Sequence, residues 1–332
     1  MLHRVVGSIG LIAALVVAPS AGRTVSAQAR PPAPKAPSIP RTPDGKPDLQ
    51  GAWSFANVTP FERPAALGEK AVLSDDDVAQ IEEQAAANSK QDEGRKRGTA
   101  ADVNRAYNDF WYDRGTKVAG TRQSSIVVDP ANGRVPALTA EAQQRASTRA
   151  AARKQRGPAD GPEDRSLGER CILGFNAGPP FAPSAYNNNI QIVQTKDHVV
   201  VMTEMVHDAR IVPITSQPRG GNRRWLGESR GHWEGDTLVV ESRNFTRNGT
   251  GTIGLRLPPS DQLKLTERFT LRDPKTLVYQ FTVEDPATWT RPWTAVVPMQ
   301  KSDEQIYEYA CHEGNIGMIG IMAGAREQER VR

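Results

Sequence analysis

The chain is poor in the side chains from which metal and redox centres are usually built, with two cysteines and five histidines in 332 residues. Nor does it carry a Walker loop, a dinucleotide glycine fingerprint, a GxSxG elbow, an HExxH helix or an EF-hand loop. Nucleotide binding, elbow-type serine hydrolysis, zincin chemistry and EF-hand calcium binding therefore have no residues to rest on, and no cofactor is expected. No apolar run reaches the roughly 20 residues of a membrane-spanning helix, which predicts a chain without a membrane span. Excess charge of one sign is missing too: 42 basic against 38 acidic side chains leave +4. The densest basic stretch, Arg145 to Arg156, reads as one face of a surface helix. Without interleaved aromatics it is a poor nucleic-acid platform, so no nucleic-acid partner is expected.

What is present begins with export. Arg4, the apolar stretch from Val5 to Ala18 and the small-x-small sequence Ala27-Gln28-Ala29 read as a secretory signal peptide over residues 1–29, cleaved after Ala29. The expectation is a periplasmic or secreted protein of undetermined oligomeric state. Residues 30–47, RPPAPKAPSIPRTPDGKP, are proline-rich and polar and predict an extended, solvated linker. Beyond it, residues 48–165 read as one strand followed by helices, 166–322 as a β domain and 323–332 as a polar tail. An even pair of cysteines in an exported chain, Cys171 and Cys311, points to one disulfide. The alternative is two thiols joining His312 around a metal.

The segment Leu49–Val58 alternates with period two and predicts a first strand. Ser74 with Asp77 three residues on predicts a capped helix to about Ala87; a second is predicted from Ala101 to Tyr112, and Thr139 predicts the cap of a third ending near Gln155. A short β-branched run, Ser124–Asp129, adds a strand. From Tyr186 onward the pattern is β throughout, with strands predicted at 189–195, 198–205, 209–214, 224–233, 237–245, 264–272, 276–283, 293–300 and 305–310. Joints such as Glu234-Gly235-Asp236 and Asp273-Pro274-Lys275 leave no room for crossover helices, so pairing is antiparallel. A long meander hides its edges by closing. The predicted fold is α+β, mainly antiparallel β: a lipocalin-like β-barrel with N-terminal helices, with a β-sandwich as the alternative.

Eight segments in order carry a resemblance: RTPDGKPDLQGAW, SSIVVDPANGRVPALTAEAQ, DRSLGERC, YNNNIQIVQT, TEMVHDARIVP, GHWEGDTLVVES, VEDPATWTRPWT and YEYACHEGN. Together they resemble a family of exported, uncharacterised bacterial proteins with the same order of blocks, and the likeness spans most of the chain after the signal peptide. It implies a secreted protein of one architecture and carries over no catalytic residues.

Candidate chemistry comes from the polar blocks. In TEMVHD, Glu204 and His207 lie on opposite faces of a regular strand unless a bulge or turn at Val206 re-aims one of them. Glu204, Asp208 and Arg210 share a face by alternation; pointing inward they make an anion-binding or orienting set, pointing outward a solvated stripe. His312 and Glu313 in CHEGN, fixed by a bond at Cys311, suit an acid/base pair or a structural corner. His232 stands in a hairpin sequence. Tyr186, Asn187, Asn188 and Asn189 are poor strand formers whose amides suit ligand contacts or loop networks. Trp289, Arg291 and Trp293 offer flat rings beside a cation, or core packing. These residues predict a small-molecule ligand in the barrel or at its mouth, the enzymatic version being acid/base chemistry by a lyase, isomerase or hydrolase. The rival is a non-catalytic carbohydrate-binding or envelope-associated module.

Overall fold

The computed structural model describes residues 38–90, 96, 98–99, 112–217, 220–246 and 260–330. The expected signal peptide and nearly all of the helix predicted at 101–112 lie outside these residues. Ten strands form one mainly antiparallel sheet: β1 Gly51–Ser54, β2 Val127–Asp129, β3 Asn189–Gln194, β4 His198–Thr203, β5 Ala209–Pro213, β6 Glu228–Glu234, β7 Thr237–Arg243, β8 Lys264–Asp273, β9 Thr276–Glu284 and β10 Trp293–Ser302. Among the described residues three α-helices accompany them: α1 Asp75–Asn88, α2 Ala140–Lys154 and α3 Ile316–Arg330.

The strand order is β5-β4-β3-β1-β10-β9-β8-β7-β6, with β2 also pairing β10. Consecutive hairpins account for most of it, as the short polar turns require. The exception is β1, which comes from the N-terminal segment and lies between β3 and β10, so the two runs of hairpins are joined through it. Alternation then sends one row of each strand inward. Trp53, Ile190, Ile192, Val199, Val201, Val212, Leu238, Val240, Leu265, Phe269, Tyr279, Phe281, Trp293 and Val297 belong to one buried cluster.

The sheet is open, in place of the closed lipocalin-like barrel expected. Its terminal strands touch at a single parallel bridge, Ile214 to Gly231, with the Thr215 amide donating to the Gly231 carbonyl at 3.1 Å. A side chain at Gly231 would meet Ile214 Cδ1 at 2.8 Å, so this approach depends on glycine. Nor is the interior an empty cup. Aromatic rings fill it, with Phe281 and Trp293 at 5.7 Å between centroids and Phe269 and Tyr279 at 4.9 Å.

Helix α1 carries the expected cap, a reciprocal box between Ser74 and Asp77. Helix α2 is capped by Thr139, whose hydroxyl also donates to the Ala287 carbonyl at 2.9 Å and so ties the helix to the β9–β10 turn. Two C-terminal expectations are corrected. Residues 305–310 form no strand, because the flank of β10 that a following hairpin strand would join is already held by β1 and β2. Helix α3 occupies most of what reads as β-domain end and polar tail, since the interspersed glycines of IGMIGIMAGAREQER conceal it.

Candidate functional site

Three loops and the C-terminal segment meet beside the sheet. The first loop is built on Ser166 and Glu169. Backbone N–H and hydroxyl of Ser166 both donate to Glu169 Oε2 at 2.9 Å, and the Glu169 amide returns to the Ser166 hydroxyl at 3.2 Å. This tight turn delivers Cys171 with a left-handed backbone, φ 54°. Cys171 is disulfide-bonded to Cys311, Cα–Cα 5.7 Å, so neither sulfur is a free thiolate ligand. Burial pushes the Glu169 carboxyl upward, but the Ser166 hydrogen bonds and the Arg165 guanidinium outweigh it and hold the group below its ordinary value.

The second loop is the asparagine run. Asn188 is fully buried, its Oδ1 accepting from the Ser184 amide at 2.8 Å and its Nδ2 donating to the Ser184 carbonyl at 3.1 Å. Asn176 Nδ2 donates to the carbonyls of Tyr186 and Asn187, each at 3.0 Å. Asn187 takes φ 55°, a conformation asparagine tolerates better than most residues. Asn189 begins β3 and donates to Glu204 Oε2 at 2.8 Å. The run is thus a backbone-bracing network, and its product is Tyr186 set edge-to-face against Phe175, centroids 5.1 Å apart.

The third loop joins β4 to β5. A 3-10 turn at Met205–His207 holds Val206 at φ 61° and His207 at φ 58°. A β-branched residue in this region is a genuine outlier. The turn presses Met205 and Val206 onto Gly174, where a Cβ would collide with Met205 Cγ. The Nδ1 atom of His207 is buried without a hydrogen-bond partner. Burial raises the neighbouring Asp208 carboxyl above its ordinary value.

Between these loops and residues 309–315 lies a cleft of about 470 Å³, lined among others by Phe175, Tyr186, Met205, Val206, Tyr309 and the disulfide. Its apolar floor is a small cluster of Leu173, Ala177 and Met205, separate from the main core. Six non-glycine residues among those described have positive φ, and four of them, Cys171, Asn187, Val206 and His207, line this cleft or adjoin a lining residue. Such strain persists only where surrounding structure over-determines it, and it concentrates at functional sites. A larger hollow of about 720 Å³ lies between α1 and residues 112–116, bordering chain outside the described residues.

Other candidates lie elsewhere. Arg210 points inward and is separated from Glu204 by the Met205–His207 turn, which breaks the alternation that would place them on one face. It makes a two-pronged ion pair with Glu267 of β8, one hydrogen bond being 2.9 Å, and Tyr279 donates to the same carboxylate at 2.9 Å. Burial opposes the Arg210 charge, yet Glu267 holds its pKa above the ordinary value; burial and then the Glu267 charge push the Tyr279 hydroxyl well up. Trp289 and Trp293 are buried at 5.9 Å from each other, so neither offers a flat face to a ligand, while Arg291 is exposed and paired with Asp129 at 3.1 Å. His312 and Glu313 are exposed beside the Cys311 wall of the cleft. His232 is exposed on β6 and contacts Glu234 at 3.1 Å.

Among the described residues no three His, Cys, Asp or Glu side chains cluster to hold a metal. Phe175 and Tyr309, which wall the cleft, and Glu267, which occupies Arg210, were not singled out from sequence. The partnership of Arg210 with a carboxylate 57 residues away has no local signal. Phe175 stands close after LGERC, and Tyr309 lies inside YEYACHEGN, so their blocks, though not their roles, were visible. No protein-family model matches this chain, and no curated protein sequence matches it.

Proposed function

We propose that this chain is an exported small-molecule-binding protein whose ligand occupies the cleft beside the Cys171–Cys311 disulfide. The observation that carries the reading is convergence: segments distant in sequence, 166–175, 186, 205–206 and 309–315, meet at one concavity around which four left-handed non-glycine residues gather. Each of these segments lies in or beside one of the blocks that carry the resemblance to exported bacterial proteins. A disulfide spanning 140 residues suits the oxidising compartment that the signal sequence implies. No helix among the described residues is long and apolar enough to cross a membrane.

The ion pair across the interior and the Ile214–Gly231 bridge support a barrel-like curl of the open sheet. With that interior packed by side chains, the cleft on its flank is the better place for a ligand than the centre. Acid/base catalysis is the narrower version of the same reading, with His207, Glu204, His312 and Glu313 nearest the cleft rim. The carbohydrate-binding alternative loses support from the burial of Trp289 and Trp293. A thermal-shift screen of a small-molecule library against wild type and Ala310→Trp tests the proposal. Hits that raise the wild-type Tm and lose their effect in the variant support it; hits indifferent to Ala310→Trp place binding elsewhere and overturn it.

A further inference from the structure

Resting on that reading, we infer that the cleft takes a neutral, planar aromatic ligand and discriminates against charged ones. The charged group at its wall, Glu169, and the Ser166 hydroxyl beside it are already committed to partners within the chain. Both Glu169 oxygens are engaged, Oε2 by the Ser166 amide and hydroxyl at 2.9 Å and Oε1 by Arg165. The Ser166 hydroxyl, in donating to Glu169 and accepting from its amide, is occupied in turn. Asn315 Nδ2 donates to the Glu169 carbonyl at 2.8 Å and lies 3.4 Å from Cys171 Sγ. A ligand ammonium would find the Glu169 carboxylate already paired with Arg165, and a ligand anion would find that guanidinium already paired with Glu169. Either ion loses its water without a matching partner, an unfavourable exchange that a neutral ring avoids.

What the wall does offer is ring and sulfur. Phe175 and Tyr186 stand at an interplanar angle of 87°, so one ring presents its face where the other presents its edge. Tyr309 approaches from the C-terminal segment, and Met205 and the disulfide supply polarisable sulfur, which packs favourably against aromatic rings. A volume of about 470 Å³ is enough for a two-ring molecule. The geometry therefore selects by shape and polarisability.

The test uses the mature chain with its disulfide intact and the fluorescent probe N-phenyl-1-naphthylamine. Displacement is then measured with three single-substituent naphthalenes: neutral 1-naphthol, anionic 1-naphthalenesulfonate and cationic 1-naphthylmethylammonium. Expected is saturable enhancement of the probe, weakened at least tenfold by Ala310→Trp, with 1-naphthol displacing it at a concentration at least tenfold below either ion. Ala310 is exposed, so the bulky replacement adds no volume to the core. Gly314→Phe fills the cleft from the neighbouring turn, and an unchanged Tm identifies which variant reports on binding. If an ion displaces the probe as well as 1-naphthol does while the filling variants still block, the ligand class is wrong and the cleft stands. Should probe binding be absent, or indifferent to both filling variants, the cleft reading falls with it.

Discussion

Arg210 and Glu267 show how far a single side chain is legible. Alternation gave two possible directions for Arg210, and nothing local chose between them, because the deciding carboxylate lies on a strand at the far side of the sheet. Buried together at 7% and 0% exposure, the two charges are worth little as a pair but are costly to orphan. Arg210→Ala or Glu267→Ala is expected to destabilise by about 3–5 kcal/mol, and the paired replacement Arg210→Met with Glu267→Leu to recover most of that. Urea denaturation reads both, and a single-mutant loss under about 1 kcal/mol contradicts burial of the pair. At Gly174 the prediction concerns the cleft floor. Ala in its place drives a methyl into Met205, with an expected cost of about 1–3 kcal/mol and weakened probe binding. The asparagine run was legible as anomalous strand sequence, but its function as a brace depends on Asn176 and Asp113, which no spacing rule connects to it.

Elements were read best where turn chemistry bounds them. The hairpins of β6 to β9 follow from Glu234-Gly235-Asp236 and Asp273-Pro274-Lys275, and the caps of α1 and α2 from Ser74 and Thr139. Pairing beyond neighbours was not readable: β1 enters the sheet from more than 130 residues upstream of β3, and its place beside β10 denies residues 305–310 a strand partner. Helix α3 was hidden because Gly317, Gly320 and Gly324 each lower helix propensity by about 1 kcal/mol. The C-terminal segment that carries it is held by the disulfide and by the Arg326 guanidinium on the carbonyls of Ala159 and Asp160. Reduction, or Cys171→Ser with Cys311→Ser, is expected to remove about 5 kcal/mol in the chain-entropy account and to abolish probe binding by detaching one wall of the cleft. Unchanged binding after verified reduction counts against the C-terminal wall.

Helix α1 supplies a pH prediction. Hydrogen bonds from Lys70 and Ser74 pull the Asp77 carboxyl to about 2. A folded value below the unfolded one means that its contribution is complete above the ordinary carboxylate range and is lost as pH falls toward 2. The Tm difference between wild type and Asp77→Asn is expected to be constant from neutral pH to about pH 5 and to shrink steadily as pH falls toward 2. A difference that persists undiminished at pH 2 contradicts the capping role.

For the molecule as a whole, turn chemistry and alternation made the mainly antiparallel class legible, and the even cysteine pair made the disulfide legible. That the meander stays open was beyond reach, since its terminal strands meet at a single bridge at Gly231 and no local pattern shows whether more would form. Export predicts that intact mass of the protein recovered from outside the cytoplasm begins at Arg30; a mass retaining Met1 to Ala29 contradicts it. The central claim, that the cleft beside the disulfide is where this protein meets its ligand, is tested most directly by amide chemical-shift mapping during titration with 1-naphthol. Perturbations are expected to be confined to residues 166–175, 186, 205–207 and 309–315. Shifts that centre instead on the outer faces of β3 to β5, or that scatter without saturating, contradict it.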